Sequence, residues 1–253
     1  MFNFLPAVEA VELTDAPLVQ VVAQVKFNSQ SALFTHAGAI KFQEPLLERY
    51  PRLLAESQNV ITAGPGNVST QTIPQWRLTD LAGERSCVIG PEHLTLETII
   101  YDTWPTMRTR LVEALDVLAD LAPPRVQERV GLRYINHISA TTDTAYSDRV
   151  EGALLGLTEQ AGWRDALVAS LSQVVAREET TQLTLRYGRG AGVPGLPTDR
   201  FVIDIDLADE TPVAFDKDSL IEYFDTLNDC SLRCFFATLA DPYRTALTAN
   251  GGA

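Results

Sequence analysis

The sequence predicts an α+β protein in which one module occurs twice: a strand, a short helix, three or four antiparallel strands and a long helix. Two segments that alternate apolar and polar residues as strands do, 21–27 and 130–136, lie roughly 110 residues apart. Each is followed by a short helix-like segment, further alternating runs and one long amphipathic helix. A repeat of this length is too long for a solenoid unit and indicates two fused copies of a small module.

The two modules are predicted at residues 1–124 and 125–253, sharing one continuous sheet. Their element order is also that of the TATA-box-binding-protein fold, in which two copies join their sheets into a curved saddle. This analogy concerns element order alone, and a fold does not convey a function.

The first module begins with an arm at residues 1–16 and a strand at 19–27 that places Gln24 and Lys26 on one side and Ala23 and Val25 on the other. Thr103 and Pro105 mark the start of an amphipathic helix with apolar residues at spacings of three and four. The elements between them are predicted as a helical segment at 34–50 interrupted by Pro45, a turn at 64–67, and strands at 69–78, 84–89 and 93–101.

The second module begins with a long alternating strand at 125–138. Ser219 and Glu222 have the spacing of a capping box and predict the start of the last long helix at Ser219. The elements between them are predicted as a short helix at 150–160, a hairpin of strands at 166–176 and 180–187, and a strand at 200–207.

Composition places the chain among globular proteins, with 45% hydrophobic and 21% charged residues. No run approaches the length of about 20 apolar residues that a membrane span needs, and the N-terminus lacks the basic region of a signal peptide. Three cysteines without the spacing of a disulfide framework favour reduced thiols. We therefore expect a soluble cytoplasmic protein that does not associate with membranes.

The chain is strongly acidic, with a net charge of −13 and a pI near 4.6. This balance weighs against broad electrostatic binding to nucleic acid, including the DNA-binding use of a saddle-shaped sheet. The excess of acid either serves solubility or attracts a basic partner protein.

The best candidate site is a row of basic residues on the strand at 125–138. A period of two puts Arg129, Arg133 and His137 on one face. Guanidinium groups bind oxyanions with two parallel hydrogen bonds, so the row predicts a site for a phosphate, a carboxylate or a partner protein. By duplication, Gln24 and Lys26 occupy the corresponding face of the first module. The alternative is a solvated sheet face whose arginines pair with acids, Glu97 and Asp204 being the nearest candidates.

Motifs of known catalytic sites are absent from the sequence. The three histidines are isolated from one another, and no nucleophile elbow, zinc-protease or paired-cysteine spacing occurs. Cys230 and Cys234 share a helix face beside two phenylalanines, which predicts core positions. Asp204 and Asp206 alternate on a strand as a metal-binding carboxylate pair does, but no third ligand is evident. We therefore expect no metal and no cofactor, and the sequence favours a protein that is not an enzyme.

Four segments together resemble one family of uncharacterised prokaryotic proteins with a sporadic distribution. The most distinctive is the R-V-G-L-R-Y-I-N run at residues 129–136, and the others lie at 16–27, 48–51 and 101–104. The resemblance covers nearly the whole chain and is looser in its C-terminal third. The family's terminal helix often carries a histidine where this chain has Asp229 or Cys230. The resemblance implies a prokaryotic, cytosolic setting, and a patchy distribution is typical of accessory, mobile or defence-associated genes.

The function that we expect is that of a non-enzymatic accessory or antitoxin-like protein, which engages a partner protein encoded nearby through its sheet surface. The alternative is a domain that binds a small anionic ligand or nucleotide through the arginine row, with latent hydrolytic activity. A homodimer is compatible with the sequence, and nucleic acid is the least favoured partner.

Overall fold

The described part of the chain is built from ten strands, five α-helices and three short 3₁₀ turns, so it belongs to the predicted α+β class. The computed structural model describes residues 1–8, 13, 16–64, 67–139, 145–163, 166–190 and 200–249. The helices are α1 His36–Gln43, α2 Trp104–Leu121, α3 Gly152–Leu155, α4 Lys217–Ala237 and α5 Asp241–Ala249. The strands are β1 Leu18–Phe27, β2 Arg52–Gly64, β3 Asn67–Thr79, β4 Arg85–Gly90, β5 His93–Thr98, β6 Val126–Ser139, β7 Ala169–Glu178, β8 Thr181–Gly190, β9 Arg200–Asp209 and β10 Val213–Ala214.

The ten strands belong to one large antiparallel sheet. Their order is β2-β3-β4-β5-β1-β6-β9-β8-β7, and the short strand β10 pairs with β6. In β8 and β9, for example, Arg186 lies directly opposite Asp204. This register decides which side chains meet on the sheet surface.

Contacts along the chain divide it into two units. Unit 1 comprises Met1–Val21, Leu132–Asp209 and Asp225–Ala253, and unit 2 comprises Val22–Gly131 and Glu210–Phe224. Strands β1 and β6 and helix α4 each contribute residues to both units.

In unit 2, α2 begins where the sequence predicts. Thr103 caps it, since the Thr103 hydroxyl accepts a hydrogen bond from the Thr106 amide at 3.4 Å. Its buried face consists of the apolar residues predicted from their spacing, which are Met107, Leu111, Ala114, Leu115 and Leu118. The helical segment predicted at 34–50 is instead α1 between two 3₁₀ turns, and Pro45 stands in the first turn of the second.

Further local predictions need correction. The short helix predicted at 150–160 is only α3, Gly152–Leu155, because Gly156 takes a positive φ and ends it. The strand β2 was not predicted, because its first residues mix apolar and charged side chains without strict alternation. Helix α4 begins at Lys217 rather than at Ser219, because Asp216 supplies the cap: its carboxylate accepts from the Ser219 amide at 2.8 Å.

In unit 1, the core lies between α4 and one face of β6, β9 and β8. Leu132 and Ile203 are fully buried, and so is Leu227 on α4. The Tyr134 hydroxyl donates to the side-chain oxygen of Asn228 on α4 at 2.7 Å, so this face of β6 is the one that the helix covers. Within the described residues, no helix combines the length and the apolar character needed to cross a membrane.

Candidate functional site

Strand β6 presents its basic residues on the face opposite the helices, as the alternation predicts. Val130 and Leu132 are fully buried and Tyr134 is 8% exposed, whereas the Arg133 side chain is 40% exposed. We call this side the polar face of each unit. In unit 1 it carries Arg133, His137, Gln173, Arg186, Asp204 and Asp206, and in unit 2 it carries Gln24, Lys26, Glu56, Arg77, Ser86, His93, Thr95, Glu97 and Arg129.

Arg133 forms the centre of the unit 1 polar face through a two-bond ion pair with Asp204. Its Nε donates to Oδ1 and its Nη2 to Oδ2, each at 2.7 Å. Asp204 on β9 is 5% exposed, and it also accepts from Arg186 Nη1 at 3.2 Å. One buried carboxylate therefore holds two guanidinium groups, which is the acid pairing that the sequence left open as an alternative.

Gln173 and Asp206 restrain the guanidinium group of Arg186 as well. Arg186 Nε donates to the side-chain oxygen of Gln173 on β7 at 2.9 Å, and Asp206 lies 3.7 Å from its Nη1. Two positive and two negative groups make the cluster formally neutral. The hydrogen bond with Asp204 raises the pKa of Arg133. Arg133 thus stays charged, and the hydrogen bonds orient both guanidinium groups.

His137 lies four residues beyond Arg133, and an extended strand separates such residues by about 13 Å. Its backbone amide donates to the Pro17 carbonyl at 2.7 Å, in the sheet. Burial lowers the pKa of its imidazole, with a contribution from the positive charge of Arg200. The lowered pKa favours the neutral imidazole at pH 7. The predicted role of His137 in an anion or partner site stays a prediction.

In unit 2, Gln24 and Arg129 interact as neighbours on β1 and β6. Gln24 accepts from Arg129 Nη1 at 3.0 Å and donates to the Thr95 hydroxyl at 3.0 Å. Arg129 also lies 3.6 Å from the exposed carboxylate of Glu210. Its guanidinium covers Gly131, where an added Cβ would come within 2.6 Å of Nη1. The glycine of the R-V-G-L-R run thus leaves room for the arginine before it.

Lys26 is exposed on the same face, near His93 of β5. Burial lowers the pKa of His93 to about 4, and the charge of Lys26 adds to this lowering. The imidazole ring lies over Gly90, where an added Cβ would meet the ring carbon Cε1 at 2.6 Å. Neutral His93 and charged Lys26 therefore form no pair that would move a proton at pH 7.

Sequence reasoning missed a second ionic cluster, centred on Arg77 of β3. Arg77 bonds Glu56 and Glu97, each at 2.6 Å, and the Ser86 hydroxyl at 2.9 Å. The alternation of β3 was enough to place Arg77 on the polar face. Its partner Glu56 was overlooked because it lies on the unpredicted strand β2.

Cys230 and Cys234 are core residues, as predicted, and Cys87 is also buried. Cys87, Cys230 and Cys234 are free and buried. Burial raises their thiol pKa values to about 12, 11 and 12 respectively. The thiols stay protonated at neutral pH and are poor nucleophiles. Among the described residues, no three His, Cys, Asp or Glu side chains converge as metal ligands.

A shallow cleft, open to solvent, lies in unit 2 at the start of α2. Arg85 and Arg110 line it, and Arg85 is paired with Asp102 at 3.2 Å. The Nε of Arg110 is buried without a hydrogen-bond partner, and burial lowers the pKa of this guanidinium. This cleft was not predicted from sequence.

Comparison with known proteins assigns no family to this arrangement. No protein-family model matches the chain, and a search of curated proteins finds no significant match. The resemblance of the R-V-G-L-R-Y-I-N run to the sporadic prokaryotic family therefore stays a prediction.

Proposed function

We propose that this chain is a non-enzymatic accessory protein that binds a partner protein through the polar face of unit 1. The observation that carries the proposal is the Arg133–Asp204–Arg186 cluster. Its two guanidinium side chains are 40% and 41% exposed and are held by a carboxylate that is itself buried. They form a fixed, partly exposed pair of donors on a sheet surface.

A fixed arginine pair suits protein recognition. Arginine is among the residues that dominate binding energy at protein interfaces. Ordering a long side chain on binding costs about 0.5–1.5 kcal/mol. Asp204 already restrains both arginines, so most of that cost is met in the free protein.

The same pairing weakens the alternative of a small anionic ligand or nucleotide. Asp204 neutralises Arg133, so a free anion has to compete with a carboxylate that already makes two short hydrogen bonds. The lowered pKa of His137 favours a neutral imidazole, which adds little positive charge for an anion. Hydrolysis also gains no nucleophile from the protonated thiols.

The charge of the chain supports a basic partner. A net charge of −13 attracts a positively charged protein and repels nucleic acid and anionic membranes. We propose a cytoplasmic setting, where the thiols stay reduced, and a partner encoded nearby, as in an antitoxin-like or defence-associated pair. Such a complex is weakened by added salt.

We further propose that the chain arose by internal duplication. The element order supports this: β1, α1, four strands and α2 are followed by β6, α3, four strands and α4. The saddle predicted by analogy with the TATA-box-binding-protein fold stays a prediction.

The test begins with native mass spectrometry of the protein purified gently from its own host, in which we expect a protein of defined mass to accompany it. Arg186→Gln, which leaves the Arg133–Asp204 pair intact, is expected to weaken binding about tenfold, equivalent to 1.4 kcal/mol. Arg49→Gln is the matched control, since Arg49 is 43% exposed and paired with Glu113 away from the polar face. A folded sample that binds no neighbouring product at low ionic strength overturns the proposal, as does equal binding by both variants.

A further inference from the structure

Strand β7 ends the sheet, and its outer edge is unpaired within the described residues. β7 pairs with β8 on its inner side, from Ala169 opposite Gly190 to Glu178 opposite Thr181. Every second residue of such an edge directs its backbone N–H and C=O outward. Alternate residues of the ten in β7 therefore offer backbone donors and acceptors that another strand can satisfy.

The β7 edge lacks the charges and prolines that usually protect an edge strand. Residues 169–176 contain no charged side chain, in a chain in which 21% of residues are charged. Leu171, Val174 and Val175 are 50%, 49% and 52% exposed. Both faces of the strand thus present apolar surface to solvent.

The two charged residues at the end of β7 bond to groups of the same chain. Arg177 donates to the side chain of Gln182 on β8 at 2.9 Å, and Glu178 accepts from the backbone amide of Phe2. At the opposite end of the sheet, β2 carries the charged residues Arg52 and Glu56.

We propose that two copies of this chain join along β7, antiparallel, about a twofold axis at Gln173. The inference concerns the outer edge of β7, which adjoins the unit 1 cluster through Gln173, and it holds whether or not the proposed partner exists.

The geometry of a continuous sheet restricts the register to a twofold axis that passes through a residue of β7. A twofold axis normal to the sheet keeps equivalent faces on the same side, so each residue must oppose one an even number of positions away. With the axis at Gln173, Leu171 of each copy lies opposite Val175 of the other copy, which gives two such contacts. On the other face of the sheet, Val174 of each copy lies opposite Ser172 of the other. At the axis, the side-chain amides of the two Gln173 residues lie next to each other.

This pairing is self-complementary in polarity and charge. The two Leu171–Val175 contacts are apolar pairs of the kind that stabilise neighbouring strands. Arg177 and Glu178 fall opposite Ala169 and Val168, so no like charges oppose each other. A second copy is therefore the occupant that β7 fits, because a twofold interface requires a surface complementary to itself.

Added salt is expected to change the stability of the dimer and that of the partner complex in opposite directions. Two chains of net charge −13 repel each other at long range, while β7 itself is neutral. Salt screens this repulsion, so the dimer tightens as ionic strength rises. A complex with a basic partner weakens under the same change, and the two associations are thereby separable.

The first test measures oligomeric state by sedimentation velocity over a wide range of protein and salt concentrations. We expect a monomer–dimer equilibrium that Val175→Lys shifts at least tenfold toward monomer. Leu54→Lys is the matched control, since Leu54 is 45% exposed on β2 at the other end of the sheet. A monomer under all conditions, or a dimer that both substitutions leave unchanged, overturns the inference.

The second test fixes the register by disulfide cross-linking. In the Leu171→Cys/Val175→Cys double variant, the two thiols of one chain lie about 13 Å apart along the strand and cannot join each other. They lie opposite their counterparts across the proposed axis, so oxidation is expected to yield a covalent dimer. Ser170→Cys/Val175→Cys pairs residues of opposite faces and should not cross-link. The native thiols are buried and do not interfere.

If a different protein binds the purified chain through β7 and no dimer forms, the proposal that a second copy occupies the β7 edge is wrong. Equal cross-linking of the two double variants overturns the register.

Discussion

Arg233 on α4 donates from Nη2 to the backbone carbonyl of Phe2 at 3.1 Å and so fastens the N-terminal segment of unit 1. The same guanidinium reaches the carbonyls of Met1, Leu5 and Pro6 at 3.0–3.1 Å. The Arg233 side chain is 16% exposed and Phe2 is 1% exposed. One planar group with several donors thus satisfies four carbonyls while an aromatic ring fills the core beneath.

Arg233→Lys is expected to lower the free energy of unfolding by about 2 kcal/mol, because one ammonium group cannot replace the guanidinium fork and leaves carbonyls unpaired. Urea denaturation measures the loss, and amide exchange should speed up in residues 1–6. Arg244→Lys is the control, since Arg244 pairs only with exposed Asp241. An equal loss in both variants would contradict the capping role.

Asp204→Asn is expected to destabilise unit 1 by about 3 kcal/mol, because it leaves two guanidinium groups without their shared carboxylate. Asp206→Asn is the comparison, since the Asp206 side chain is 23% exposed against 6% for Asp204, and it lies 3.7 Å from Arg186 Nη1. It should cost less than about 1 kcal/mol. Urea midpoints of both variants give the test, and equal midpoints would refute the central place of Asp204.

The lowered pKa of His93 predicts that the free energy of unfolding depends on pH. Its pKa is about 4 in the folded chain against 6.5 for a free histidine, so the unfolded chain takes up the proton first. The stabilisation is complete above pH 6.5 and is lost as the pH falls from 6.5 to 4. His93→Gln should flatten this part of the curve by about 3 kcal/mol. Wild-type and variant unfolding curves that stay parallel over this range would contradict the shift.

Gly90 and His93 are expected to depend on each other. Gly90→Ala forces the imidazole ring away and should destabilise unit 2 by about 1–3 kcal/mol. Combining it with His93→Ala removes the clash, so the double variant should lose much less than the sum of the single losses. Gly152→Ala serves as the control, since no atom lies within 4 Å of its added Cβ. Additive losses at Gly90 and His93 would exclude the contact.

The sequence was sufficient to predict the face of each residue but not its partner. The alternation of β6 placed Arg133 correctly, and the spacing within α2 identified its buried side. Both patterns depend on local geometry alone. The Arg133–Asp204 bond instead depends on strand order, which brings β9 beside β6 across 71 positions of sequence. From the sequence, Asp204 was one of the candidate acids for pairing with Arg133, and local patterns could not distinguish it from Glu97.

Two further features depend on tertiary structure in the same way. The four carbonyls around Arg233 belong to a segment more than 200 positions earlier in the chain, and nothing in their local sequence marks them as acceptors. The Arg77 cluster needs β2, whose residues do not alternate clearly enough to be recognised as a strand. Local patterns therefore predicted the elements, and long-range pairing determined the clusters.

The last prediction concerns Arg110. Its Nε is buried without a partner at the start of α2, and burial lowers the pKa of the guanidinium, so the folded chain disfavours this charge. Arg110→Met keeps much of the aliphatic stem and removes the unpaired donor, and it should raise the free energy of unfolding by about 1 kcal/mol. Arg108→Met, two positions earlier on the same helix, controls for the change in helix composition. A loss of stability specific to Arg110→Met, measured in urea, would show that this arginine makes a favourable interaction that compensates for its burial.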